Sequence, residues 1–398
     1  MDYDKIVGTY RQYVMDTYGG RQPISLARGA GVEVWDTTGK RYLDFLAGIA
    51  VNGLGHCHPG VVNAIREQAG ILMHVSNLYY TESQARLAKM LVEWSEMDKA
   101  FFCNSGAEAN EAAIKLARKW GKSKGSDQKF EIVTALESFH GRTMGAITAT
   151  GQPKYQKSFE PLVPGFKYVP YNDVEALRST VTDATCAVLL EPIQGESGVH
   201  PASKEYLAAA RKACDEVGAL LIFDEVQTGL GRTGRMFAYE HYGVAPDVMT
   251  LAKTLGGGFP IGACLARDAA AEVFQPGDHA STFGGNPLAC AAGIAAMTAL
   301  HEEALVENAR DVGEYFASKL RTFKSKRDDV IEVRGMGLLL GIEFATPVAR
   351  TIAGQCLELG LIVNAIGDRI IRFLPPLVVT RKHVDEAMSI LAEAAGAL

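Results

Sequence analysis

Short apolar runs and longer amphipathic segments alternate along this chain from about residue 99 to residue 267. The runs carry almost no charge, which is typical of strands buried on both faces of a parallel sheet. Two of the segments between them, Glu108–Trp120 and Lys204–Val217, predict helices. The alternation predicts an α/β fold with a large, doubly wound domain on a mostly parallel sheet. The strands that we predict are Ala100–Cys103, Phe130–Ala135, Cys186–Leu190, Leu220–Phe223, Val248–Ala252 and Ala263–Ala266.

Beyond Pro287 the pattern changes to two long helical segments followed by short strands, which predicts a smaller α+β domain. Near the N-terminus, Val32–Asp36 and Gly39–Phe45 predict two short strands around a glycine turn. We therefore expect an N-terminal segment (residues 1–57) that joins the small domain, a large domain (58–286) and a small domain (287–398). The elements predicted for the small domain are the helices Leu288–Glu302 and Glu307–Phe323, the strands Val330–Val333, Leu338–Phe344, Ile362–Asn364 and Ile370–Phe373, and a closing helix from Lys382.

Two of the predicted strands end next to residues that can carry chemistry. Leu220–Phe223 is followed by Asp224, and Val248–Ala252 is followed by Lys253. Because ligands bind at the carboxyl ends of strands in open parallel sheets, we expect the acid and the lysine at one site. A lysine in an apolar setting has a lowered pKa and can bond covalently to an aldehyde, while an acid can keep a ring nitrogen protonated. The pair points to pyridoxal 5'-phosphate as the cofactor.

Two glycine patterns near these strands suggest nucleotide binding, but neither matches its nucleotide-binding motif in full. Gly121-Lys122-Ser123 resembles the end of a phosphate-binding loop, but Leu116 stands where that motif needs its first glycine. Gly229, Gly231 and Gly234 fit the dinucleotide pattern, yet they do not follow the strand directly and no helix clearly begins after them. A nicotinamide-dependent oxidoreductase is therefore the alternative from another enzyme class.

Composition and charge indicate which kinds of partner the protein binds and in which cell compartment it lies. Hydrophobic residues make up 47% and charged residues 22% of the 398 residues, as in ordinary globular proteins. The formal net charge of −6 and the lack of a basic run argue against nucleic-acid binding. The apolar segments are too short for a membrane span, and the N-terminus lacks the apolar core of a signal peptide. Seven scattered cysteines predict free thiols, so we expect a cytoplasmic protein.

The segment His56-Cys57-His58 has residue types that bind metals. Two histidines in a glycine-proline turn cannot form a four-ligand site alone, and no nearby sequence supplies the missing ligands. We interpret the segment as a turn that joins domains and predict no metal.

A series of motifs in a fixed order carries a resemblance to a known family. From about Tyr18 to the C-terminus the chain resembles the class-III, fold-type I aminotransferases, whose cofactor is pyridoxal 5'-phosphate. Besides the Asp224 and Lys253 segments, the motifs are Leu46 to Asn52, Gly55 to Pro59, Asn104 to Asn110, Phe139 to Thr143, Glu191 to Glu196, Ser281 to Pro287 and Ile371 to Pro376.

The resemblance implies a role for each matching residue at the cofactor. Lys253 is the covalent attachment point and Asp224 pairs with the ring nitrogen. Ser105, Gly106 and Ala107 begin a predicted helix, and they match the family's phosphate-binding segment. Thr282 matches a phosphate ligand supplied by a neighbouring subunit, which implies a homodimer with shared active sites. The other cofactor-binding residues implied in this way are Phe139, His140, Glu225, Val226 and Gln227, with Phe139 and Val226 on opposite ring faces and Gln227 at the ring hydroxyl.

The resemblance also implies how two different substrates share one site. Arg142 matches the arginine that binds a substrate carboxylate, and Ser281 is expected beside the substrate. Arg372 matches the arginine that receives the α-carboxylate of 2-oxoglutarate, and Glu196 matches the carboxylate that covers it while the amino donor is bound. An arginine that can be covered and uncovered lets the site accept an ω-amine and then a keto acid.

The identity of the amino donor depends on Ile49. Ornithine aminotransferases are expected to carry a tyrosine there for the free α-amino group, and an aliphatic side chain cannot hydrogen-bond an ammonium. We therefore expect transfer of the terminal amino group of N2-acetyl-L-ornithine to 2-oxoglutarate. Succinylornithine, N-succinyl-diaminopimelate, ornithine and 4-aminobutyrate are alternative donors, and a 2,1-aminomutase is the rival within the same cofactor chemistry. Ser197, where many relatives have glycine, is a departure beside Glu196.

Overall fold

The computed structural model describes residues 2–124 and 126–396. Within these residues the helices are α1 (Tyr3–Tyr13), α2 (Ala47–Ala50), α3 (Pro59–Ala69), α4 (Glu82–Glu93), α5 (Gly106–Ser123), α6 (Met144–Ala149), α7 (Pro153–Gln156), α8 (Val174–Thr180), α9 (Lys204–Val217), α10 (Asp268–Ala271), α11 (Pro287–Glu302), α12 (Leu305–Lys324), α13 (Ala349–Glu358) and α14 (Arg381–Gly396). Single 3₁₀ turns lie at Ser76–Leu78, Lys157–Phe159, Ala238–His241 and Lys253–Gly256.

The strands of the described residues form four sheets. They are β1 (Leu26–Ala30), β2 (Glu33–Asp36), β3 (Arg41–Asp44), β4 (Lys99–Cys103), β5 (Glu131–Ala135), β6 (Phe166–Val169), β7 (Thr185–Leu190), β8 (Ile193–Gln194), β9 (His200–Pro201), β10 (Leu220–Asp224), β11 (Val248–Leu251), β12 (Gly262–Ala266), β13 (Val330–Met336), β14 (Leu339–Phe344), β15 (Leu361–Ile362), β16 (Asn364–Ile366) and β17 (Ile370–Phe373).

The central sheet has seven strands in the order β4-β12-β11-β10-β7-β5-β6. Strand β12 runs antiparallel to β4 and β11, and the remaining pairs are parallel, so the predicted mostly parallel sheet is confirmed. Successive side chains of β10 enter different apolar clusters: Leu221 and Phe223 pack in one, and Leu220 and Ile222 in the other. Both faces of this strand are covered, which explains why its sequence is apolar throughout.

All six strands predicted for the large sheet are present, with bounds that differ by one residue at most. The sequence prediction missed β6, a short edge strand with the charged Lys167 in its middle. It also missed β1, whose residues are largely exposed. Edge strands lack the continuous apolar pattern by which buried strands are found, because one side of each faces solvent.

The smaller sheets connect distant parts of the chain. Strands β2 and β3 form the predicted hairpin, and β3 also pairs in parallel with β15. The strand predicted over Ile362–Asn364 is divided, because β15 ends at Ile362 and β16 begins at Asn364 in a different sheet, β13-β14-β17-β16. Pairing of β3 with β15 supports the grouping of the N-terminal segment with the C-terminal part, while the domain boundaries stay a prediction.

Helix α11 is the most apolar of the long helices, and most of its residues are buried. It packs against α3 and α4 and against the 3₁₀ turn that begins at Lys253. Among the described residues no single helix is long and apolar enough to cross a membrane; α11 and α12 pass a test of length and composition only as a pair bent by 61°.

Candidate active site

A cavity of about 420 Å³ opens at the carboxyl edge of the central sheet. Strand β10 ends at Asp224, β11 is followed by Lys253, and β4 is followed by Ser105. Because these three strands are parallel, their carboxyl ends bring the three residues to one edge, and all three line the cavity. The sequence prediction that the acid and the lysine share a site is thus supported by their placement.

Asp224 is buried, and protein donors hold its carboxylate from two sides. Its Oδ2 accepts hydrogen bonds from Asn110 Nδ2 at 2.7 Å and from His140 Nδ1 at 2.8 Å. Its Oδ1 accepts the backbone N–H of Val226 at 3.0 Å. Since each carboxylate oxygen can accept two hydrogen bonds, Oδ1 keeps one acceptor position for a ligand in the cavity.

Lys253 reaches the cavity from the first residue of a 3₁₀ turn and adopts a positive φ of 48°. Burial lowers the pKa of its amine, Glu196 and Asp224 oppose that effect, and Arg372 adds to it. A lowered pKa increases the fraction of uncharged amine, which is the form that attacks an aldehyde and accepts a proton.

The N-terminus of α5 forms an anion-binding corner of the cavity. Ser105 caps the helix by accepting the N–H of Glu108 at 3.2 Å, and Gly106 and Ala107 follow in the first turn, whose N–H groups have no partner within the helix. A Cβ on Gly106 would lie 2.7 Å from Val226 Cγ1, so only glycine permits this close approach. The corner is suited to a phosphate, as the sequence predicted.

Arg372 is fully buried and belongs to a hydrogen-bond network with Glu196 and Gln227, both of which line the cavity. Its Nη1 donates to Glu196 Oε1 at 2.6 Å, and Gln227 Nε2 donates to the same oxygen at 2.9 Å. Burial favours the neutral form of Glu196, but the positive charges of Arg372 and Lys253 outweigh it and lower the pKa to about 2. The second guanidinium nitrogen of Arg372, Nη2, donates to Asn364 Oδ1 at 2.8 Å. Glu196 therefore pairs with Arg372 in this structure, and its role as a cover while the amino donor is bound stays a prediction.

Arg142 and Phe139 line the same cavity beside Val226 and His140. The Arg142 side chain is exposed, and its guanidinium lies 3.9 Å from the centre of the Tyr155 ring and 5.6 Å from that of Phe139. Stacking on an aromatic ring holds a guanidinium in place and leaves its N–H groups available for a ligand. Arg142 is thus free to bind a carboxylate that enters the cavity.

The structure corrects the prediction for Glu225. This residue is buried but does not line the cavity, because its carboxylate accepts hydrogen bonds from Thr228 Oγ1 and from the N–H groups of Ala238 and Tyr239. Successive residues at a strand end point in opposite directions, so Asp224 and Glu225 cannot both face the site. Burial raises the pKa of Glu225 to about 7.

Ser281 and Thr282 lie outside this cavity, in a neighbouring pocket that they share with Asn104 and Glu108. The hydroxyl of Ser281 accepts a hydrogen bond from Asn104 Nδ2 at 3.1 Å. Within one chain, therefore, neither residue joins Asp224 and Lys253. Their predicted roles depend on a second copy of the chain.

Two of the three sequence patterns that suggested other ligands have structural explanations. His56 Nε2 lies 2.6 Å from Asp44 Oδ2, and His58 Nε2 lies 2.9 Å from Glu303 Oε1, so each histidine has its own acidic partner. No cluster of three or more metal-binding side chains occurs within residues 2–124 and 126–396. The glycine pattern Gly229 to Gly234 forms turns in which Arg232 is fully buried and donates to the carbonyl groups of Leu338 and Pro375.

Comparison with known proteins agrees with this geometry. Residues 15–395 match the family described as aminotransferase class-III. The chain belongs to the class-III aminotransferases. It is 56% identical to acetylornithine aminotransferase of Caldanaerobacter subterraneus subsp. tengcongensis over 381 residues, 96% of each chain. The acetylornithine aminotransferase of Methanocaldococcus jannaschii is 51% identical over 393 residues, 99% of this chain and 98% of the relative.

Solved structures of class-III aminotransferases superpose closely on the chain. Ornithine aminotransferase from Toxoplasma gondii has a TM-score of 0.96 at 35% identity, covering 100% of this chain and 96% of its own. Acetylornithine aminotransferase from Elizabethkingia anophelis has a TM-score of 0.89 at 34% identity and full coverage of both chains. The fold-type I architecture predicted from the sequence is confirmed.

Several cavity residues of this class-III aminotransferase were not singled out from the sequence. Glu191 accepts the N–H of Phe139 at 3.0 Å, and burial together with the Asp224 charge raises its pKa well above the usual value. Asn110 contacts Asp224, and Val51 lines the wall. Glu191 and Asn110 lie inside quoted motifs, so their presence there was the available signal. Their roles depend on contacts with residues far away in the sequence.

Proposed function

We propose that this chain is a pyridoxal-phosphate-dependent aminotransferase that moves the terminal amino group of N2-acetyl-L-ornithine to 2-oxoglutarate. The products are N-acetyl-L-glutamate 5-semialdehyde and L-glutamate, which places the reaction in arginine biosynthesis. One observation carries the proposal: Lys253, Asp224 and the Arg372–Glu196 pair belong to one site. Burial lowers the pKa of Lys253, Asp224 is buried, and Glu196 pairs with Arg372. The close similarity to several acetylornithine aminotransferases supports the choice of donor.

The donor set of the cavity fits pyridoxal phosphate. Asp224 Oδ1 keeps an acceptor position for a protonated ring nitrogen, and the first turn of α5 offers N–H groups to the phosphate. Gly106 lies so close to Val226 that a Cβ would clash there, and Val226 and Phe139 both line the cavity and offer apolar surface to a ring. When bound, pyridoxal phosphate supplies the aldehyde that accepts the amino group and a ring that stabilises negative charge at the reacting carbon.

Lys253 acts as the base and acid of the reaction. Its uncharged amine removes the proton from the δ-carbon of the amino donor. In the second half-reaction it delivers a proton to the carbon that becomes the α-carbon of glutamate. Asn110 and His140, both buried, donate to Asp224 Oδ2 and would hold the carboxylate in place for a cofactor ring nitrogen.

Arg142 and Arg372 bind the carboxylates of the two substrates in turn. Arg142 takes the carboxylate that lies far from the reacting carbon in both substrates, an interaction of about 1.5–3 kcal/mol for hydrogen bonds to a charged group. Arg372 stays paired with Glu196 while the donor is bound, because the donor has no carboxylate beside its reacting carbon. With 2-oxoglutarate, Glu196 moves aside and Arg372 binds the α-carboxylate.

The preference for an acylated donor rests on the turn Ala47–Ala50. All four residues have positive φ, so α2 is a single left-handed turn, and it leaves Ile49 41% exposed. An exposed aliphatic side chain cannot hydrogen-bond a free α-ammonium. Succinylornithine, N-succinyl-diaminopimelate, ornithine and 4-aminobutyrate stay alternative donors. Ser197 donates to Gln194 Oε1 at 3.3 Å and makes no hydrogen bond to Glu196 among the described residues.

The enzyme is proposed to act as a cytoplasmic homodimer. Ser281 and Thr282 lie outside the cavity of their own chain, next to exposed apolar residues such as Phe283, so a second copy could receive them. All seven cysteines are free, which fits a reducing compartment.

The visible spectrum of the purified protein tests this function. A band of lysine-bound cofactor is expected, bleached by N2-acetyl-L-ornithine without keto acid and restored by 2-oxoglutarate. Lys253→Ala should lose turnover while the chain stays folded. A coloured protein whose band acetylornithine does not bleach would indicate that one of the alternative compounds is the donor. A protein that pyridoxal phosphate cannot reconstitute would overturn the proposal.

A further inference from the structure

The carboxylate of Asp224 belongs to a hydrogen-bond chain that extends away from the cavity. Asn110 Nδ2 donates to Asp224 Oδ2 at 2.7 Å, and Thr250 Oγ1 donates to Asn110 Oδ1 at 2.8 Å. The three side chains come from α5, β10 and β11, and each is at most 4% exposed. Water therefore cannot reach these three side chains to replace a hydrogen-bond partner that is removed.

The orientation of the Asn110 amide is fixed by its neighbours. Its Nδ2 donates to the backbone carbonyl of His140 at 2.7 Å as well as to Asp224. Reversal of the amide would place its oxygen against a carboxylate and a carbonyl, both of which are acceptors only. The Thr250 hydroxyl completes the arrangement, because it supplies the donor that Asn110 Oδ1 needs.

The Asn110 amide also determines which oxygen of Asp224 is available to a ligand. With Asn110 and His140 both on Oδ2, the carboxylate cannot rotate without breaking two charge-assisted hydrogen bonds. Among the described residues Oδ1 accepts only the Val226 N–H, so it would be the oxygen available to the ring nitrogen of a bound cofactor. A carboxylate fixed in this way is pre-organised for the ligand and loses little freedom on binding.

We propose that Asn110 and Thr250 are positioning residues that orient the Asp224 carboxylate toward the cofactor ring nitrogen, Thr250 acting through the Asn110 amide. The inference rests on the proposed use of pyridoxal phosphate. It assigns a positioning function to a helix residue that lines the cavity and to a strand residue that does not.

Substitution of Thr250 tests the series of hydrogen bonds from Thr250 through Asn110 to Asp224, with little change in the shape of the side chain. Thr250→Val replaces the hydroxyl by a methyl group and leaves Asn110 Oδ1 buried without a donor. We expect kcat to fall about tenfold with KM changed less than about twofold, since hydrogen bonds to the charged Asp224 weaken and substrate contacts do not. Thr250→Ser keeps the hydroxyl and should retain most of kcat. Thr185→Val, a buried threonine at the other end of the same sheet, is the matched packing control.

Two readouts separate positioning from a merely structural role. The visible circular dichroism of bound cofactor should change in Thr250→Val and Asn110→Ala, but not in Thr185→Val, because only the first two alter the setting of the ring. The double variant Asn110→Ala/Thr250→Val should resemble Asn110→Ala alone if Thr250 acts through the amide.

The outcomes distinguish the inference from the function on which it rests. Parent protein that binds no pyridoxal phosphate would overturn both. Parent protein that binds and turns over, with Thr250→Val matching Thr185→Val in kcat and in the dichroism of the cofactor, would overturn the positioning role alone. Additive losses in the double variant would also overturn the coupling through Asn110.

Discussion

At the scale of single residues, the proposed use of two different substrates depends on the ion pair between Arg372 and Glu196. Arg372 is 1% exposed, and both Glu196 and the carbonyl of Gly195 accept from its Nη1. A buried charge that loses its partner costs several kcal/mol, so the pair stabilises the fold as well as covering the arginine. Under the proposed function, a substrate carboxylate would replace Glu196 as the partner of Arg372.

Glu196→Gln should change substrate preference toward molecules with an α-carboxylate. The amide keeps the size of the side chain but not its charge, so kcat/KM for 2-oxoglutarate relative to acetylornithine should rise about tenfold. The folded protein should also lose stability, because Arg372 stays buried without a counter-charge. Half-reactions followed in the visible spectrum give the ratio, and urea unfolding gives the stability. An unchanged ratio would argue against Glu196 as the cover of Arg372.

The same pair predicts a particular pH dependence. The pKa of Glu196 is lowered to about 2 from 4.5, so the pair stabilises the fold above the unfolded-state pKa and is lost as the pH falls toward 2. Between about pH 6 and about pH 9 the substrate ratio should therefore show no titration from Glu196. A change of the ratio in that range that is absent in Glu196→Gln would contradict the assignment.

At the scale of elements, the turn after β8 sets the geometry of the arginine network. A Cβ on Gly195 would lie 1.7 Å from Gln227 Oε1, so Gly195→Ala must displace Gln227 from Glu196. We expect KM for 2-oxoglutarate to rise about tenfold, with the fold retained. Gly354→Ala is the matched control, since nothing lies within 4 Å of its Cβ and alanine favours a helix by about 0.5–1 kcal/mol. Equal KM values in both variants would exclude this role of Gly195.

The turn after β10 separates a structural acid from the acid of the site. At about pH 8.5, where Glu225 is ionised, Glu225→Gln presents an amide N–H to at least one of three protein donors and should cost about 1–3 kcal/mol of unfolding free energy. The kcat and the cofactor content should stay near the parent values, because Glu225 faces away from the cavity. If Glu225→Gln lost cofactor while its unfolding free energy stayed unchanged, Glu225 would be a cofactor-binding residue after all.

Elements at the site could be predicted better than the contacts between them. Strand β10 is apolar throughout because both of its faces are buried, so its end at Asp224 was visible in the sequence. The sequence prediction gave Asp224 the ring nitrogen and placed Glu225 at the cofactor as well, because the opposite directions of the two side chains were not visible in the sequence. The family motif pointed to the segment of Asn110, but its role could not be predicted, because the sequence does not show that β11 brings Thr250 beside it.

At the scale of the whole molecule, one exposed apolar surface lies beside Thr282. Within the segment of residues 71–80, Asn77 donates to the carbonyl of Gly284 at 2.9 Å, and the ring of His74 lies 5.0 Å from that of Phe283. We call this segment together with the loop of residues 281–284 the apolar surface. Its exposed large side chains are Ile71, Leu72, Met73, Leu78, Tyr79, Tyr80 and Phe283. A patch of this kind favours association, and Thr282 would then lie at the interface.

Leu78→Asp should convert the proposed homodimer into monomers, because it places a charge on the apolar surface, where the leucine is 81% exposed. Sedimentation velocity measures the association. Cofactor retention on dilution should fall with it, since Thr282 would no longer reach the phosphate in a second copy. Ile331→Asp, on the exposed part of β13, is the control and should leave both unchanged. Monomers that keep the cofactor as well as the parent does would remove Thr282 from the shared site and leave the homodimer without a role in catalysis.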